Sequence, residues 1–264
     1  MKLTIFQIDA FASKVFAGSP AVVVLIPDWP DDSVLLAIAQ EHNISTTAFL
    51  RDAGGVFEIR YFLPIGEAPL VGHASLAAAH VLLRILHPTL GAATLRRRSG
   101  TLRIAAADAG AVAITLPASP SHPCAAPDGL AAALGVPIRE VRVNHNQYFA
   151  VLDDPAAVAA VAPDMDALMR LDRDGVVVTA AGSDCDFVSR AFAPKEGLPE
   201  DPVCGSAHLA LAPYWSARFG KERHRAVQLS PRGGVLHCAL HGSDVRLAGD
   251  CTLYMEGAIH IGRS

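Results

Sequence analysis

The order of hydrophobic and polar residues along the chain predicts many short strands and few helices. Short stretches that are β-branched or alternate apolar with polar residues, and that end at Gly, Pro or Asp, are typical of strands. The predicted strands cover 2–11, 20–26, 56–62, 101–106, 110–116, 147–152, 174–179, 185–192, 226–229, 234–240 and 243–248. The predicted helices cover 31–42, 74–86, 127–134, 155–161, 164–170 and 206–219. Because strands and helices alternate too irregularly for a βαβ series, the pattern favours an α+β fold with mostly antiparallel strands.

Two segments of the chain repeat each other at about half its length. Residues 67–79 align without a gap over 200–212 and are identical at seven of thirteen positions. Upstream, the pattern R-x-F-x-P begins at Arg60 and again at Arg190. Each half therefore contains R-x-F-x-P, a short loop, and E-x-P-x-x-G leading into an Ala- and Leu-rich helix.

The repeat predicts two similar halves, each built around one apolar helix. The first half covers 1–118 with its central helix at about 74–86, and the second covers 119–264 with its central helix at about 206–219. The last strand is free to cross back to the first half. Both helices are apolar on most faces, which is typical of a helix wrapped by a sheet.

The start of each central helix is a candidate binding site. In both halves a proline-containing loop turns at Gly72 or Gly205 into the helix. The first backbone N–H groups of a helix have no partner within it and attract anions. If the halves pack about a pseudo-twofold axis, the two helix starts face one cleft, which is a common place for a small-molecule site.

Composition and charge narrow the possible partners to small molecules. A formal net charge of −4 argues against nucleic acid and anionic lipid, which need a basic face. No apolar run reaches the roughly 18 residues of a membrane span, and no signal peptide is indicated.

The five cysteines are odd in number and far apart, which fits a reducing cytoplasm. The histidines lack metal-ligand spacing, so no metal is expected. The basic run from Arg96 to Arg98 is interpreted as a solvated face.

Four side chains at the helix starts are candidates for chemistry. The helix dipole favours a neutral His73, which could polarise a substrate or carry a proton, or could be a capping or core residue. Asp201 is a proton carrier or merely a charge that complements the dipole. Cys204 is expected to be more acidic than a free thiol and to act as a base or nucleophile, unless it is a small buried hydrophobe. Ser206 is a helix cap by type and a carboxylate ligand by position.

Four stretches of the sequence resemble the phenazine-biosynthesis PhzF-like family. They are IDAF…GSPAVVV (8–24), IRYFLPIGEAPLVGHASLAAAH (59–80), EDPVCGSAHLALAPYW (200–215) and VQLSPRGGVL (227–236). The resemblance covers nearly the whole chain in the right order. It implies the diaminopimelate-epimerase-like fold, in which two similar α+β halves each curl a mostly antiparallel sheet around a central helix and the site lies in the cleft between them.

The resemblance also implies proton transfer without a cofactor on a small carboxylate-bearing substrate. Asp201 matches the catalytic aspartate of the family, and Cys204 matches the second cysteine position of racemases that share the fold. The substrate-binding residues that it implies are Ser45, Thr46, Gly72 (with His73 as the G-H pair), Ser75, Gly205 and Ser206. It further suggests a homodimer.

One match to the family fails. The catalytic glutamate of the family follows serine in an N-x-S-E-T type string, and here Thr46 occupies its place after Ser45. A threonine hydroxyl is not acidic enough to act as a carboxylate base near neutral pH. Glu41 lies too far along its predicted helix to substitute, and Val71 at the first racemase cysteine position disfavours a two-thiol racemase.

Three hypotheses remain. In the preferred one, the protein is an isomerase whose proton carrier is Asp201, His73 or Cys204, acting on an activated substrate. In the second, the same cleft performs altered chemistry, such as addition, elimination or tautomerisation on a conjugated intermediate. In the third, the protein binds a small molecule without catalysis.

Overall fold

The protein, analysed as a computed structural model, divides into two units that are each described by themselves. The structure describes residues 1–262, and residues 263 and 264 lie outside this range. The first unit comprises 1–116 together with the segment from Leu247 onward, and the second comprises 117–246. The boundary between the units lies close to the predicted one at 118/119, and the segment from Leu247 onward joins the first unit, a crossing that the sequence analysis leaves open.

The strands and helices have the following bounds. The strands are β1 (Lys2–Ala10), β2 (Ser19–Leu25), β3 (Thr47–Asp52), β4 (Phe57–Leu63), β5 (Gly66–Ala68), β6 (Ala92–Arg97), β7 (Gly100–Ala106), β8 (Val112–Pro117), β9 (His122–Pro123), β10 (Glu140–Val143), β11 (Gln147–Val151), β12 (Gly175–Ala181), β13 (Phe187–Ala193), β14 (Leu198–Asp201), β15 (Arg223–Gln228), β16 (Gly234–His241), β17 (Asp244–Gly249) and β18 (Cys251–His260). The helices are α1 (Asp32–His42), α2 (Gly72–His80), α3 (Leu130–Leu134), α4 (Pro155–Ala160), α5 (Met165–Met169) and α6 (Gly205–Phe219). A π-helical turn, Val81–Leu86, continues α2, and 3-10 turns cover Asp108–Gly110 and Pro194–Glu196.

The two units share one strand topology. In the first, β1–β2 is antiparallel, β2–β3 parallel, β3–β4 and β4–β5 antiparallel, β4–β6 parallel and β6–β7 antiparallel. In the second, the same sequence of pairings runs through β10–β11, β11–β12, β12–β13, β13–β14, β13–β15 and β15–β16. The repeat read from the sequence is thus a repeat of structure.

Each sheet is covered by helices, and this explains its apolar strands. In the first unit α2 packs against β1, β2 and β3, and its residues 73–79 are all buried. A separate core cluster joins α1 to residues of β1 and β2, such as Leu35 with Val22 and Val24. Because both faces of β2 are covered, its sequence is a continuous apolar run rather than an alternating one. In the second unit α6 packs against β15 and β16.

The α+β fold class is confirmed, and both central helices lie where the repeat predicts them. They begin at Gly72 and Gly205, slightly earlier than predicted. The sequence pattern misses β3, β5, β6, β9, β10, β14 and β18. In β18 the six residues 253–258 are all exposed, so the strand lacks the alternation that a half-buried strand shows. Its ladder with β1 runs from Lys2↔His260 to Ala10↔Cys251, and this pairing brings the end of the chain into the first unit.

The repeated Arg and Glu residues form the same ion pair in both units. In the first unit, Arg60 on β4 donates two hydrogen bonds to the carboxylate of Glu67 on β5, both with N···O distances of 2.7 Å. In the second unit, Arg190 on β13 donates two to Glu200 on β14, at 2.7 and 3.0 Å. Such two-pronged pairs fix geometry as well as charge. They hold the strand before each central helix to the segment that leads into it.

Each arginine also contacts groups outside the pair. Both guanidinium groups lie 5.0 Å from the ring of the phenylalanine two residues later in the same strand. Arg60 pairs in addition with Asp32 at the start of α1, at 2.8 Å. Arg190 instead donates to the carbonyl oxygen of Val161, which follows α4, at 2.6 Å. The pair therefore also connects each hairpin to an outer helix of its own unit.

Replacing Glu200 by glutamine should destabilise the protein by about 2–4 kcal/mol, because it leaves a largely buried guanidinium without its charged partner. The side chains of Arg190 and Glu200 are only 12% and 16% exposed. Urea denaturation measures the change in the free energy of unfolding. Glu41→Gln, at an exposed position, is the control and should change that free energy by less than about 0.5 kcal/mol. Equal effects of the two substitutions would contradict the structural role of the pair.

Candidate active site

The start of α2 brings His73 and Ser45 together. His73 is the second residue of α2 and is 7% exposed. Its Nε2 lies 3.2 Å from the Oγ of Ser45, and that hydroxyl donates to the carbonyl oxygen of Pro20 at 3.0 Å. A hydroxyl group has one hydrogen, so the Ser45 oxygen accepts from Nε2. This arrangement selects the neutral tautomer of His73 that carries its hydrogen on Nε2.

Burial keeps His73 uncharged at neutral pH. It lowers the pKa of the imidazole to about 4, because the charged form loses its hydration. The sequence analysis expects a neutral ring from the helix dipole, whereas in the structure burial is the cause. A ring with so low a pKa is a weak base, and it is better suited to hydrogen bonding than to taking a proton from carbon.

Two further predicted residues of this unit are enclosed by protein. Thr46 is 1% exposed and has no ionisable group. The Oγ of Ser75 donates to the carbonyl oxygen of Val71 at 2.7 Å and accepts from the hydroxyl of Tyr61, also at 2.7 Å. The Ser75 hydroxyl thus bonds the backbone at the start of α2. Its role in substrate binding stays a prediction.

In the second unit, Asp201 lies at the end of β14, just before α6. Its Oδ1 accepts a hydrogen bond from the N–H of Val203 at 3.0 Å. The buried Gln228, at the end of β15, donates from Nε2 to the carbonyl oxygen of Asp201 at 2.5 Å and accepts from the N–H of Cys204 at 2.9 Å. The amide of Gln228 therefore fixes both ends of the loop between Asp201 and the helix.

The carboxyl group of Asp201 exchanges its proton near neutral pH. Burial raises its pKa to about 6, and the negative charges of Glu196 and Glu200 act in the same direction. Hydrogen bonds from Cys204 and Val203 oppose this shift without cancelling it. A carboxylate that only complemented a helix dipole would have a lowered pKa. The raised pKa is the property required of a general acid or base.

The expectation that Cys204 is unusually acidic is wrong. Burial, together with the nearby charge of Asp201, raises the pKa of the thiol to about 12, so it stays protonated at neutral pH. The cost of burying a thiolate outweighs the helix dipole here. The Sγ lies 3.3 Å from the Oγ of Ser206 and 4.0 Å from the Nε2 of Gln147. Cys204 is therefore a neutral thiol at neutral pH, and its catalytic role stays a prediction.

The start of α6 leaves one polar side chain accessible. Gly205 is the first residue of the helix, and Ser206, the second, is exposed between buried neighbours. Two residues later, the Nδ1 of His208 donates to the carbonyl oxygen of Cys204 at 2.8 Å. In the aligned repeat His208 matches Ser75, and both bond the carbonyl group four residues before them. Ser206 is therefore the polar residue of this helix start that faces solvent.

Each unit thus gathers its own predicted site residues at the start of its central helix. The sequence analysis misses Gln147 and Gln228, which are 9% and 0% exposed. The sequence feature that could have identified them is a long polar side chain at the end of an otherwise apolar strand.

In the described range 1–262, no three or more His, Cys, Asp or Glu side chains are grouped to hold a metal ion. No helix in that range is both long and apolar enough to cross a membrane.

Comparison with known proteins points to one family and one type of enzyme. The family described as "Phenazine biosynthesis-like protein" matches residues 8–257. An uncharacterized isomerase of Pseudomonas aeruginosa is 45% identical over 261 residues, which cover 99% of this chain and 100% of that protein. The crystal structure of a PhzF family protein from Enterococcus faecalis has a TM-score of 0.95 at 37% identity, covering 99% of this chain and 100% of that one. A hydroxyproline epimerase from Agrobacterium vitis, with a TM-score of 0.64 at 12% identity over 98% and 92% of the chains, shares the fold. The similarities indicate an isomerase-type enzyme.

Asp201→Asn should stabilise the folded protein at neutral pH and leave it unchanged near pH 4. The folded pKa of about 6 lies above the ordinary value of 3.8, so the wild-type protein loses stability as the pH rises between these values. Asparagine keeps the Oδ1 acceptor for Val203 and cannot ionise. We expect a gain of about 1–3 kcal/mol in the free energy of unfolding above pH 6. Urea denaturation from pH 4 to pH 8 measures it, with the exposed Asp128→Asn as control. A gain that does not depend on pH would contradict the raised pKa.

Proposed function

The chain belongs to the phenazine biosynthesis-like protein family, and we propose that within it the protein is a cofactor-independent isomerase. Its substrate is a small cyclic or conjugated metabolite that carries a carboxylate. The reaction moves one proton from one carbon to another of the same molecule. The observation that carries this proposal is the carboxyl group of Asp201, with a pKa of about 6 at the start of α6.

Asp201 is the proposed proton carrier. As a carboxylate it takes a proton from a carbon next to a conjugated or carbonyl group, and the electron pair of that C–H bond moves into the conjugated system. As a carboxylic acid it returns the proton to another carbon of that system, so the substrate is isomerised and the enzyme is regenerated. A pKa near the working pH allows both steps at comparable rates. The protonated thiol of Cys204, three residues later, is proposed to help orient it.

The helix starts are the proposed anchors for the substrate carboxylate. The N–H groups of Gly205 and Ser206 and the exposed hydroxyl of Ser206 offer donors to an anion. In the first unit, Gly72 offers the same kind of donor, and neutral His73 is proposed to polarise the reacting group. That both helix starts serve one substrate rests on the sequence repeat and remains a prediction.

Thr46 limits the substrates that this proposal allows. It cannot act as the glutamate of the family does, so the substrate must already be acidic at the reacting carbon. The same residue supports a second candidate, in which the protein performs tautomerisation, addition or elimination on a conjugated intermediate or binds such a molecule without catalysis. The isomerase and the second candidate differ in one measurable property. Only the isomerase is expected to bring hydrogen from solvent into a substrate that is otherwise unchanged.

Solvent deuterium exchange tests the proposal. A panel of cyclic and conjugated carboxylic acids is incubated with the protein in D2O, and mass spectrometry follows label in each compound. We expect exchange that rises with pH to a plateau above about pH 6, since the carboxylate form of Asp201 is the base. Asp201→Asn should reduce the rate roughly a hundredfold or more, and His73→Asn should reduce it as well. Asp128→Asn should not change it.

The double variant tests whether both helix starts act on one substrate. If they do, the losses caused by Asp201→Asn and His73→Asn are not additive. Exchange that survives in Asp201→Asn would contradict the assignment of the proton carrier. Binding seen by thermal shift without any exchange would contradict isomerase activity and favour the binding protein.

We also propose that the protein is a homodimer, as the family resemblance suggests. Support comes from β18, which pairs with β1 along one edge. Three consecutive apolar residues of β18, Leu253, Tyr254 and Met255, are 40%, 47% and 40% exposed, and Tyr254 packs edge-to-face against the exposed Phe16 at 5.6 Å. Adjacent exposed apolar side chains on a strand are normally covered, and a second copy of the same strand is self-complementary about a twofold axis.

Substitution on β18 tests this surface. Size-exclusion chromatography with light scattering should give twice the chain mass for the wild-type protein. Met255→Lys should shift the population toward the monomer, because it places a charge in the apolar contact. Ile65→Lys, at another exposed apolar residue (78% exposed), should leave the dimer intact. A monomeric wild type, or a dimer that Met255→Lys leaves unchanged, would contradict the proposal.

A further inference from the structure

The run of three arginines lines a cavity. The cavity lies in the first unit, has a volume of about 390 Å³, and is bounded by Trp29, Asp32, Glu58, Arg60 and the three side chains from Arg96 to Arg98. Arg96 and Arg98 are exposed, as the interpretation of this run as a solvated face expects, and the run in addition lines this cavity. We propose that the cavity binds a small oxyanion, the chemical group that phosphates and carboxylates share. This inference goes beyond the proposed isomerase and does not depend on it.

Within residues 1–262, one of the arginines around the cavity has no ion-pair partner. Arg96 pairs with Glu58, while Arg98 pairs with Glu67 at 2.7 Å. Among the residues that the structure describes, Arg97 donates to neutral groups, namely the carbonyl oxygens of Pro69 and Thr101 and the hydroxyl of Ser99. The Nε of Arg97 is buried and has no hydrogen-bond partner among the described residues. Arg97 is among the residues that line the cavity, so its charge contributes to the positive potential there.

Arg96 and Arg98 provide accessible donors. Their side chains are 61% and 62% exposed. Arg96 uses Nη2 for Glu58, and Arg98 uses Nη1 and Nη2 for Glu67 and Asp32. Guanidinium groups present further N–H donors in a planar fork that matches the oxygens of a phosphate or carboxylate group.

The wall behind these donors is fixed in place. The guanidinium of Arg60 lies 5.3 Å from the centre of the Trp29 ring, and Arg60 is held by Glu67 and Asp32. The indole N–H of Trp29 donates to Glu58 at 2.9 Å, so Trp29 joins the same network. A site whose charged groups are already positioned loses little freedom when an anion binds. The position of Arg97 and the rigidity of this wall distinguish the cavity from an ordinary charged surface.

Calorimetric titration of the full chain tests the proposal. Inorganic phosphate and citrate are titrated separately at an ionic strength held constant with chloride, so the two arms distinguish a phosphate from a polycarboxylate. We expect saturable binding of at least one of them. Arg96→Gln/Arg98→Gln should weaken it at least about tenfold. Arg223→Gln removes an exposed arginine of the second unit and should leave the affinity unchanged.

NMR of the arginine side chains locates the anion independently of the variants. In ¹⁵N-labelled protein, the Nε–Hε signals of Arg96, Arg97 and Arg98 should shift with the same dissociation constant as the calorimetric signal. The absence of saturable binding of either anion would overturn the proposal. So would an unchanged affinity in Arg96→Gln/Arg98→Gln, or shifts confined to arginines outside the cavity.

Discussion

The two-pronged ion pair between arginine and glutamate is the interaction on which both halves of the chain depend. In each unit it fastens the strand that precedes the central helix to the segment that enters it, through Arg60 with Glu67 and Arg190 with Glu200. A backbone that turns sharply into a buried helix has few internal bonds to define where the helix starts. The ion pair fixes where the central helix starts. It is made of residues that the sequence repeat conserves between the halves. The location of the candidate site follows from it.

Burial, more than the helix dipole, determines the chemistry at the two helix starts. It raises the pKa of Asp201 to about 6 and that of Cys204 to about 12, and it lowers that of His73 to about 4. All three shifts favour the uncharged form, as loss of hydration requires. Only the carboxyl group is brought toward neutral pH by this shift, whereas the thiol and the imidazole are moved away from it. A common physical cause therefore brings the pKa of Asp201 close to neutral pH and keeps Cys204 and His73 uncharged there.

The sequence was sufficient for the features that depend on local pattern. The repeat located both central helices, and the glycines at 72 and 205 marked their starts. It could not reveal β18, because an exposed strand lacks the alternation that burial produces. The acidity of Cys204 was misjudged because desolvation depends on tertiary packing, which a sequence motif does not contain. Gln228 was missed for the same reason, since the loop it binds lies 24 residues earlier in the chain.

The pairing of β18 with β1 also constrains the order of events during synthesis. Lys2 lies opposite His260, and the amine of Met1 and the N–H of Ile261 exchange hydrogen bonds with the carbonyl groups of the opposite residue. β1 must wait for β18 before this pairing can form, whereas residues 117–246 form a continuous unit. The second unit can thus fold during synthesis before the first unit is complete. Closure of the first unit joins segments that are far apart in sequence, and contacts of this kind form slowly.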